Sequence, residues 1–329
     1  MSQRNAPRLR WNYFKDRLVE QFNGVVYKIG VDAGFTCPNR DGSKAYGGCA
    51  YCSQQGSLSP NQDPNLGIRD QILKGLEFTQ KRYRAEKFIV YYQSFTNTYD
   101  KAEVLRSRYE SAFIDDRIVG LSIATRPDCI NPEVIGVLQE FKKRCEYFTV
   151  ELGLQSAHQN TLNWVNRQED TNDYIQAMKL LNEAQIPVIS HIILGFPGED
   201  IQESFETVRL AEQMGSYGMK LQMLHIIKDT KLAVLYSRDP FKLYELNEYV
   251  DAVVHMVERL DPKVVLHRIT GETEKEQLVA PDWVRHKTTF FTAFERELET
   301  RNTWQGKFHS SNQYSLKIPQ FAPQSEIAL

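Results

Sequence analysis

Three of the five cysteines lie close together in one segment, and their spacing is that of a metal-binding site. Cys49 and Cys52 are separated by two residues, which lets both thiolates reach one metal centre, and Cys37 supplies a third thiolate from a longer loop. A structural zinc site takes four protein ligands, whereas a [4Fe–4S] cluster held by three cysteines keeps one iron open for a small molecule. The spacing favours a cluster, but by itself it leaves a zinc site and unrelated buried thiols open. Cys129 and Cys145 are expected to be ordinary small buried residues.

The cysteine segment follows the first of several strand-like segments, which alternate with helical patterns along most of the chain. Apolar runs predict six strands, at residues 25–31, 88–93, 118–124, 147–152, 188–194 and 219–226. This alternation predicts a parallel α/β sheet. We expect a partial (β/α)6 TIM-like barrel, with an open flavodoxin-like sheet as the alternative. In both folds the loops at the carboxyl ends of the strands carry the chemistry, and the cysteine segment begins at such an end.

Both ends of the chain fall outside this pattern. Residues 1–20 form an arm in which Trp11, Tyr13 and Phe14 alternate with basic residues, which are Arg4, Arg8, Arg10, Lys15 and Arg17. We expect the barrel to occupy residues 21–262. A C-terminal extension with one strand and one helix is expected at 263–305, and a flexible polar tail at 306–329.

Composition narrows the class of protein. The 329 residues are 41% hydrophobic and 25% charged, as in an ordinary globular protein. The formal net charge of -2 gives no global positive field for nucleic acid. No apolar run is long enough for a membrane span, and the N-terminus lacks the apolar stretch of a secretion signal. We therefore expect a cytoplasmic protein without structural disulfides.

Several motifs together indicate a family. The spacing Cys-x11-Cys-x2-Cys, with Tyr51 before the last cysteine, is similar to the radical S-adenosylmethionine (SAM) superfamily. The motifs ATRPD at 124–128, ELGLQS at 151–156 and HIILGFPGE at 191–199 agree with that resemblance. The set resembles the branch that contains the elongator catalytic subunit and oxygen-independent coproporphyrinogen dehydrogenase, and above all the bacterial YhcC/YtqA-type proteins.

The resemblance implies an enzyme in which Cys37, Cys49 and Cys52 hold a [4Fe–4S] cluster and SAM binds to the open iron. One electron, from a donor such as flavodoxin or ferredoxin, then splits SAM into methionine and a 5′-deoxyadenosyl radical. The protein's own part is to position the reactants, to tune the cluster and to exclude water.

The resemblance also implies a set of residues around SAM. Tyr51 would pack against the adenine, and Glu151, expected at a strand end, would hold the ribose hydroxyls. Arg126 would pair with the SAM carboxylate, although a structural ion pair is the alternative for this residue. The adenine would lie against the turn at Gly195 and against Met223.

One family motif is missing. Many radical SAM enzymes carry a Gly-Gly-Glu motif after the second strand to hold the methionyl amine, but residues 91–97 read YYQSFTN here. Gln93 or Ser94 could accept from that amine instead. No catalytic residue is identified by motif. His191 and His225 are candidates for substrate contact or proton transfer, and satisfied core histidines are the alternative.

The substrate is less determined than the chemistry. Similarity to the elongator subunit, together with the basic and aromatic arm, favours RNA and in particular tRNA modification. Similarity to coproporphyrinogen dehydrogenase offers a small metabolite, such as a tetrapyrrole-like compound, as an alternative. A metal-stabilised binding module without catalysis is the third reading.

Overall fold

The computed structural model describes residues 10–54, 56, 63, 65–271 and 273–309. Its centre is a curled, fully parallel sheet of seven strands that forms a half-barrel. The strands, in spatial order, are β1 (Val26–Val31), β2 (Lys87–Tyr92), β3 (Ile118–Thr125), β4 (Tyr147–Gln155), β5 (Val188–Leu194), β6 (Gly218–Met223) and β8 (Val265–Arg268). The spatial order follows the chain without a reversal, so the partial barrel is confirmed and the open doubly wound sheet is excluded.

The sheet differs from the prediction at its last strands. The predicted sixth strand ends at Met223, and the chain then forms a short strand, β7 (Ile226–Ile227), which pairs antiparallel with β9 (Leu278–Ala280). The seventh parallel strand, β8, comes from the segment predicted as a C-terminal extension and pairs with β6. Periodicity could not place β8 in the sheet, because four residues carry too little pattern to show their neighbour.

Ten α-helices are present among the described residues, and most of them pack on the outer face of the sheet. They are α1 (Phe14–Phe22), α2 (Ile68–Tyr83), α3 (Ala102–Glu110), α4 (Pro132–Lys142), α5 (Gln159–Trp164), α6 (Thr171–Glu183), α7 (Ile201–Gln213), α8 (Lys231–Arg238), α9 (Leu246–Arg259) and α10 (Lys287–Thr300). Alternate strand residues such as Val150 and Leu152 pack in the core beneath these helices. Glu151, between them, faces the inside of the barrel. Within the described residues, no helix combines the length and the hydropathy of a membrane span.

The N-terminal arm is docked rather than extended. Helix α1 closes the amino-terminal end of the barrel, where Phe22 packs in one cluster with Val26 and Tyr147, the first residues of β1 and β4. Trp11 is buried against Phe294 of α10, with their ring centroids 5.6 Å apart. The predicted arm is therefore part of the body from residue 10 onward, because its aromatic residues have apolar surfaces to cover.

Among the basic residues of the arm, Arg10 also contacts the body of the protein. The guanidinium of Arg10 donates to the carbonyl oxygens of Leu298 and Thr303, at 3.3 and 3.0 Å, and so joins the arm to the end of α10. Arg4 and Arg8 lie outside the described residues.

At the other end of the chain, the backbone N–H of Phe308 donates to the carbonyl of Glu258 in α9 at 2.7 Å. The predicted flexible tail is therefore wrong for residues 306–309, and residues 310–329 lie outside the described part.

We predict that the Trp11→Ala variant loses about 3–5 kcal/mol of folding free energy, since it removes a large buried ring from between α10 and the barrel. Trp304→Ala is the matched control. The side chain of Trp304 is 45% exposed, so its loss is expected to change stability by no more than about 0.5 kcal/mol. Equilibrium denaturation in urea measures both values. Equal, small losses in the two variants would show that the arm does not stabilise the fold.

Candidate active site

The cysteine segment forms a tight loop above the carboxyl end of β1. Gly42, Gly47 and Gly48 all have positive φ angles, of 93°, 79° and 76°, which side chains other than glycine rarely adopt. At Gly48 a β-carbon would also meet the side chain of Arg40 at 2.9 Å. These glycines let the backbone of the loop turn tightly between Cys37 and Cys49.

The three cysteine thiols of this loop differ in burial. Cys49 is buried, and Cys37 and Cys52 are half-buried. The backbone N–H of Cys52 donates to the carbonyl of Cys49 at 3.1 Å. Two side chains donate to the sulfur of Cys49, Asn39 from 3.4 Å and Arg167 from 3.7 Å.

These contacts favour the thiolate form that binds metals. The hydrogen bond from the Cys52 thiol, followed by the charges of Arg167 and Arg126, holds the pKa of Cys49 well below its usual value despite burial. In the described part of the chain, no three His, Cys, Asp or Glu side chains are grouped around one position for a metal ion. Cluster cysteines bind separate irons, so they need not meet at one point. Three thiols with N–H donors to a sulfur fit a cluster in ligand type and surroundings.

Arg167 is the residue at this site that sequence reasoning missed. It follows α5 and reaches the loop from another part of the chain. Its guanidinium donates to the carbonyl of Gly153 at 3.0 Å, lies 3.5 Å from the hydroxyl of Tyr51 and pairs with Glu169. The short segment between α5 and α6 carries no motif signal, so only the folded chain shows that this arginine lies beside the cysteines.

Arg126 adopts the alternative arrangement considered for it. Its guanidinium forms two hydrogen bonds of 2.9 Å with the carboxylate of Asp128, and a third nitrogen donates to the carbonyl of Arg167 at 3.1 Å. Asp128 also pairs with Lys44 at 2.6 Å. Arg126 therefore supports the position of Arg167, and its direct contact with SAM stays a prediction.

Glu151 lies in the middle of β4 rather than at a strand end, so that expectation is wrong. Its carboxylate is fully covered and both oxygens are engaged. One oxygen accepts from Lys28 at 2.8 Å and from Ser122 at 2.9 Å. The other accepts from His191 at 2.7 Å and from Lys220. A ribose could reach this carboxylate only by displacing one of these partners, and its predicted ribose contact remains untested.

The pKa values around Glu151 follow from burial and from these partners. Burial alone would raise the pKa of Glu151, but the charges of Lys220 and Lys28 outweigh it and hold that pKa well below the usual value. Burial lowers the pKa of Lys220 to about 7. Burial, and then the charge of Lys220, lower the pKa of His191 to about 4. The imidazole is therefore neutral at pH 7, and its Nε2–H donates to Glu151.

The residues predicted to replace the Gly-Gly-Glu motif follow β2. Ser94 is fully buried, and its hydroxyl has no hydrogen-bond partner among the described residues, while its carbonyl accepts from Asn97 at 3.0 Å. The backbone N–H of Gln93 donates to Val31 at 3.2 Å, next to the start of the cysteine segment. The segment thus contains a buried hydroxyl oxygen without a partner among the described residues, and such an oxygen can accept a hydrogen bond from an amine.

The remaining predicted residues lie around the same end of the barrel. Tyr51 is half-buried, 6.4 Å from Phe196 between ring centroids. A β-carbon at Gly195 would meet the ring of Tyr244 at 2.6 Å, so that face of the turn is already covered. Met223 is buried in the core, which is the alternative considered for it.

His225 follows β6 at this end. Its Nδ1 lies 3.0 Å from the carbonyl oxygen of Met223, and burial lowers its pKa, so the ring is neutral and donates Nδ1–H. Its Nε2 is buried without a hydrogen-bond partner among the described residues. His225 therefore keeps an unused acceptor, whereas the ring of His191 is already bonded to Glu151.

Fold and site together define a class: a parallel half-barrel with a three-cysteine loop at the end of its first strand. Residues 37–211 match the radical SAM superfamily, and residues 217–300 match the radical SAM C-terminal domain. The chain belongs to the radical SAM superfamily and is a radical SAM enzyme. This excludes the reading as a binding module without catalysis.

Two relatives extend over most of the chain. YtqA of Bacillus subtilis is 37% identical over 301 residues, which are 91% of this chain and 92% of YtqA. YhcC of Escherichia coli K12 is 33% identical over 287 residues, which are 87% of this chain and 92% of YhcC. The predicted resemblance to YhcC/YtqA-type proteins is confirmed.

More distant similarities reach proteins named for tRNA or for elongator. The tRNA uridine(34) acetyltransferase of Methanocaldococcus infernus is 29% identical over 153 residues, which are 45% of this chain and 28% of that protein. The structure of Elp3 from the same organism, with residues 1–46 deleted, covers 88% of this chain and 68% of its own. Its TM-score of 0.63 at 17% identity confirms the fold.

We predict that stability falls as the pH decreases from about 6.5 to about 4, and that His191 causes part of this fall. Its pKa is about 4 in the folded state against an ordinary value of 6.5, so the unfolded chain binds more protons in this interval. The contribution is at most about 3 kcal/mol. His191→Gln keeps a donor to Glu151 but does not titrate, so it should flatten the pH dependence measured by urea denaturation. His286→Gln, at an exposed position, is the control, and equal curves for both variants would contradict the assignment.

Proposed function

We propose that Cys37, Cys49 and Cys52 hold a [4Fe–4S] cluster that binds SAM and that the enzyme modifies tRNA. The observation that carries the first part is that one glycine-rich loop carries all three thiols, with Asn39 and Arg167 donating to the sulfur of Cys49. When bound, the cluster and SAM supply a 5′-deoxyadenosyl radical for abstraction of a hydrogen atom. A donor such as flavodoxin or ferredoxin would supply the electron.

The chain's own residues would bind and orient SAM beside the cluster. Arg167 lies against both Cys49 and Tyr51, so its guanidinium would be placed to pair with the SAM carboxylate. The unpartnered hydroxyl of Ser94 would accept from the methionyl amine, with Gln93 beside it. Tyr51 would cover the adenine from the loop side. Burial of these groups strengthens each of the contacts, because little water competes with them.

We predict that replacing Cys37, Cys49 or Cys52 by Ala abolishes the cluster, because an iron left without its thiolate is labile. Protein reconstituted without oxygen should contain about four irons and four sulfides per chain, and each variant should contain almost none. Cys145→Ala is the control, because Cys145 packs against the core just before β4, at the end of the sheet opposite to the cysteine loop. Full iron content in any of the three variants would contradict the ligand set.

Support for tRNA comes from the distant relatives and from the rim of the cysteine loop. Tyr46 is 76% exposed at the tip of this loop. Lys231, which begins α8, lies beside it, with its ammonium 3.1 Å from the carbonyl oxygen of Tyr46. An exposed aromatic ring next to a cation suits an unpaired base and its phosphate. Unlike the docked residues of the N-terminal arm, this rim is accessible.

We predict that the double variant Tyr46→Ala, Lys231→Ala binds tRNA more weakly, by about 1–3 kcal/mol for one lost stacking contact. Its log–log dependence on salt should be flatter by about 0.7–0.9, for one lost phosphate contact. Lys74→Ala, Lys81→Ala on the exposed side of α2 is the control. Binding is measured by filter retention at several salt concentrations, after the iron content of each variant has been checked. A parent protein without salt-sensitive tRNA binding would favour a small metabolite as the substrate.

A further inference from the structure

The inside of the half-barrel contains a layer of charged and polar side chains. Each of six parallel strands contributes one residue to it: Lys28 from β1, Tyr91 from β2, Ser122 from β3, Glu151 from β4, His191 from β5 and Lys220 from β6. The layer lies above the apolar floor made by α1. It is not needed to hold the cluster or to position the cysteine loop.

Basic groups outnumber acidic ones in this layer. The amino groups of Lys28 and Lys220 share the one carboxylate of Glu151, and Lys220, whose pKa burial lowers to about 7, is only partly protonated at pH 7. The third partner of Glu151 is His191, which is neutral and only donates a hydrogen bond. Burial lowers the pKa of both lysines, because the carboxylate does not fully replace the lost solvent. A second negative group beside the lysines would hold both of them in the ammonium form.

The exposed surface of the layer belongs to its basic residues. The Glu151 side chain has no exposed surface, whereas 15% of Lys28, 8% of Lys220 and 17% of His191 remain exposed. A molecule that reaches this layer would therefore contact the lysine and histidine side chains and not the carboxylate. Such a surface selects oxyanions, which accept several charge-assisted hydrogen bonds at once.

The layer lies deeper in the barrel than the cysteine loop. Gly153, whose carbonyl accepts from Arg167 beside Cys49, follows Glu151 by two residues on the same face of β4. Two residues of a strand span about 7 Å, which is the depth of a small organic molecule. A group bound at the lysines would thus belong to a molecule that extends toward the proposed SAM site.

We propose that Lys28 and Lys220 form a subsite that binds the terminal carboxylate or phosphate of a small substrate or co-substrate inside the barrel. This proposal rests on the proposed function only in assuming that the reaction takes place inside the barrel. The small exposed fractions of the lysines require a terminal group, because an internal phosphodiester carries a sugar on both sides. Glu151 positions the two lysines and keeps them from pairing elsewhere.

Equilibrium dialysis of the reconstituted protein with radiolabelled phosphate and acetate tests the subsite without SAM or reductant. Saturable binding of one anion per chain is expected. Lys28→Gln and Lys220→Gln should each weaken it at least about tenfold, while Lys220→Arg should retain it. Lys242→Gln is the control, because Lys242 is exposed and pairs with Glu248 on the surface.

Circular dichroism shows whether each variant folds, and Lys220→Arg provides a second test if Lys220→Gln does not. No saturable binding by the parent protein would overturn the proposal, and so would parent-like binding by both glutamine variants. Binding of a dinucleotide with an internal phosphodiester as tightly as phosphate would overturn the requirement for a terminal group. Because none of these measurements involves SAM cleavage or tRNA, the proposed function can fail while the subsite stands, and the reverse also holds.

Discussion

The buried carboxylate of Glu151 is the interaction on which the interior of the barrel depends. Lys28 and Lys220 come from the first and sixth strands, so they can reach one carboxylate on the fourth strand only when the sheet is curled. A buried carboxylate in turn needs such partners, because an uncompensated charge in the interior is very costly. Curvature and charge pairing therefore require each other, and the polar interior is a consequence of the fold.

The site is built on two levels that share β4. At the upper level the cysteine loop, Arg167 and Ser94 surround the proposed position of the cluster and SAM. At the lower level the lysines surround Glu151. Gly153 connects the levels, because its carbonyl holds Arg167 while its strand carries Glu151 two residues earlier. If both proposals hold, this spacing would place the bound anionic molecule next to the proposed SAM site.

The sequence predicts the parts of this arrangement that are local. The six strands and the three cysteines can be predicted because apolar runs and thiol spacing are contiguous in the chain. The contacts of Arg167 with Cys49 and of the lysines with Glu151 cannot, since they depend on strand register and sheet curvature across more than a hundred residues. The position of Glu151 was misjudged for the same reason: the motif that contains it does not show where β4 ends. The sequence also does not predict that Trp11 packs on α10, because this contact joins the two ends of the chain.

The most direct test of the account is the formation of 5′-deoxyadenosine. Reconstituted protein is incubated without oxygen with dithionite and SAM, with or without tRNA from cells that lack the protein, and the products are quantified by mass spectrometry. The account predicts slow formation of 5′-deoxyadenosine and methionine in the absence of RNA, and faster formation when the unmodified tRNA is added. No 5′-deoxyadenosine from protein that contains its full complement of iron would contradict the proposed chemistry.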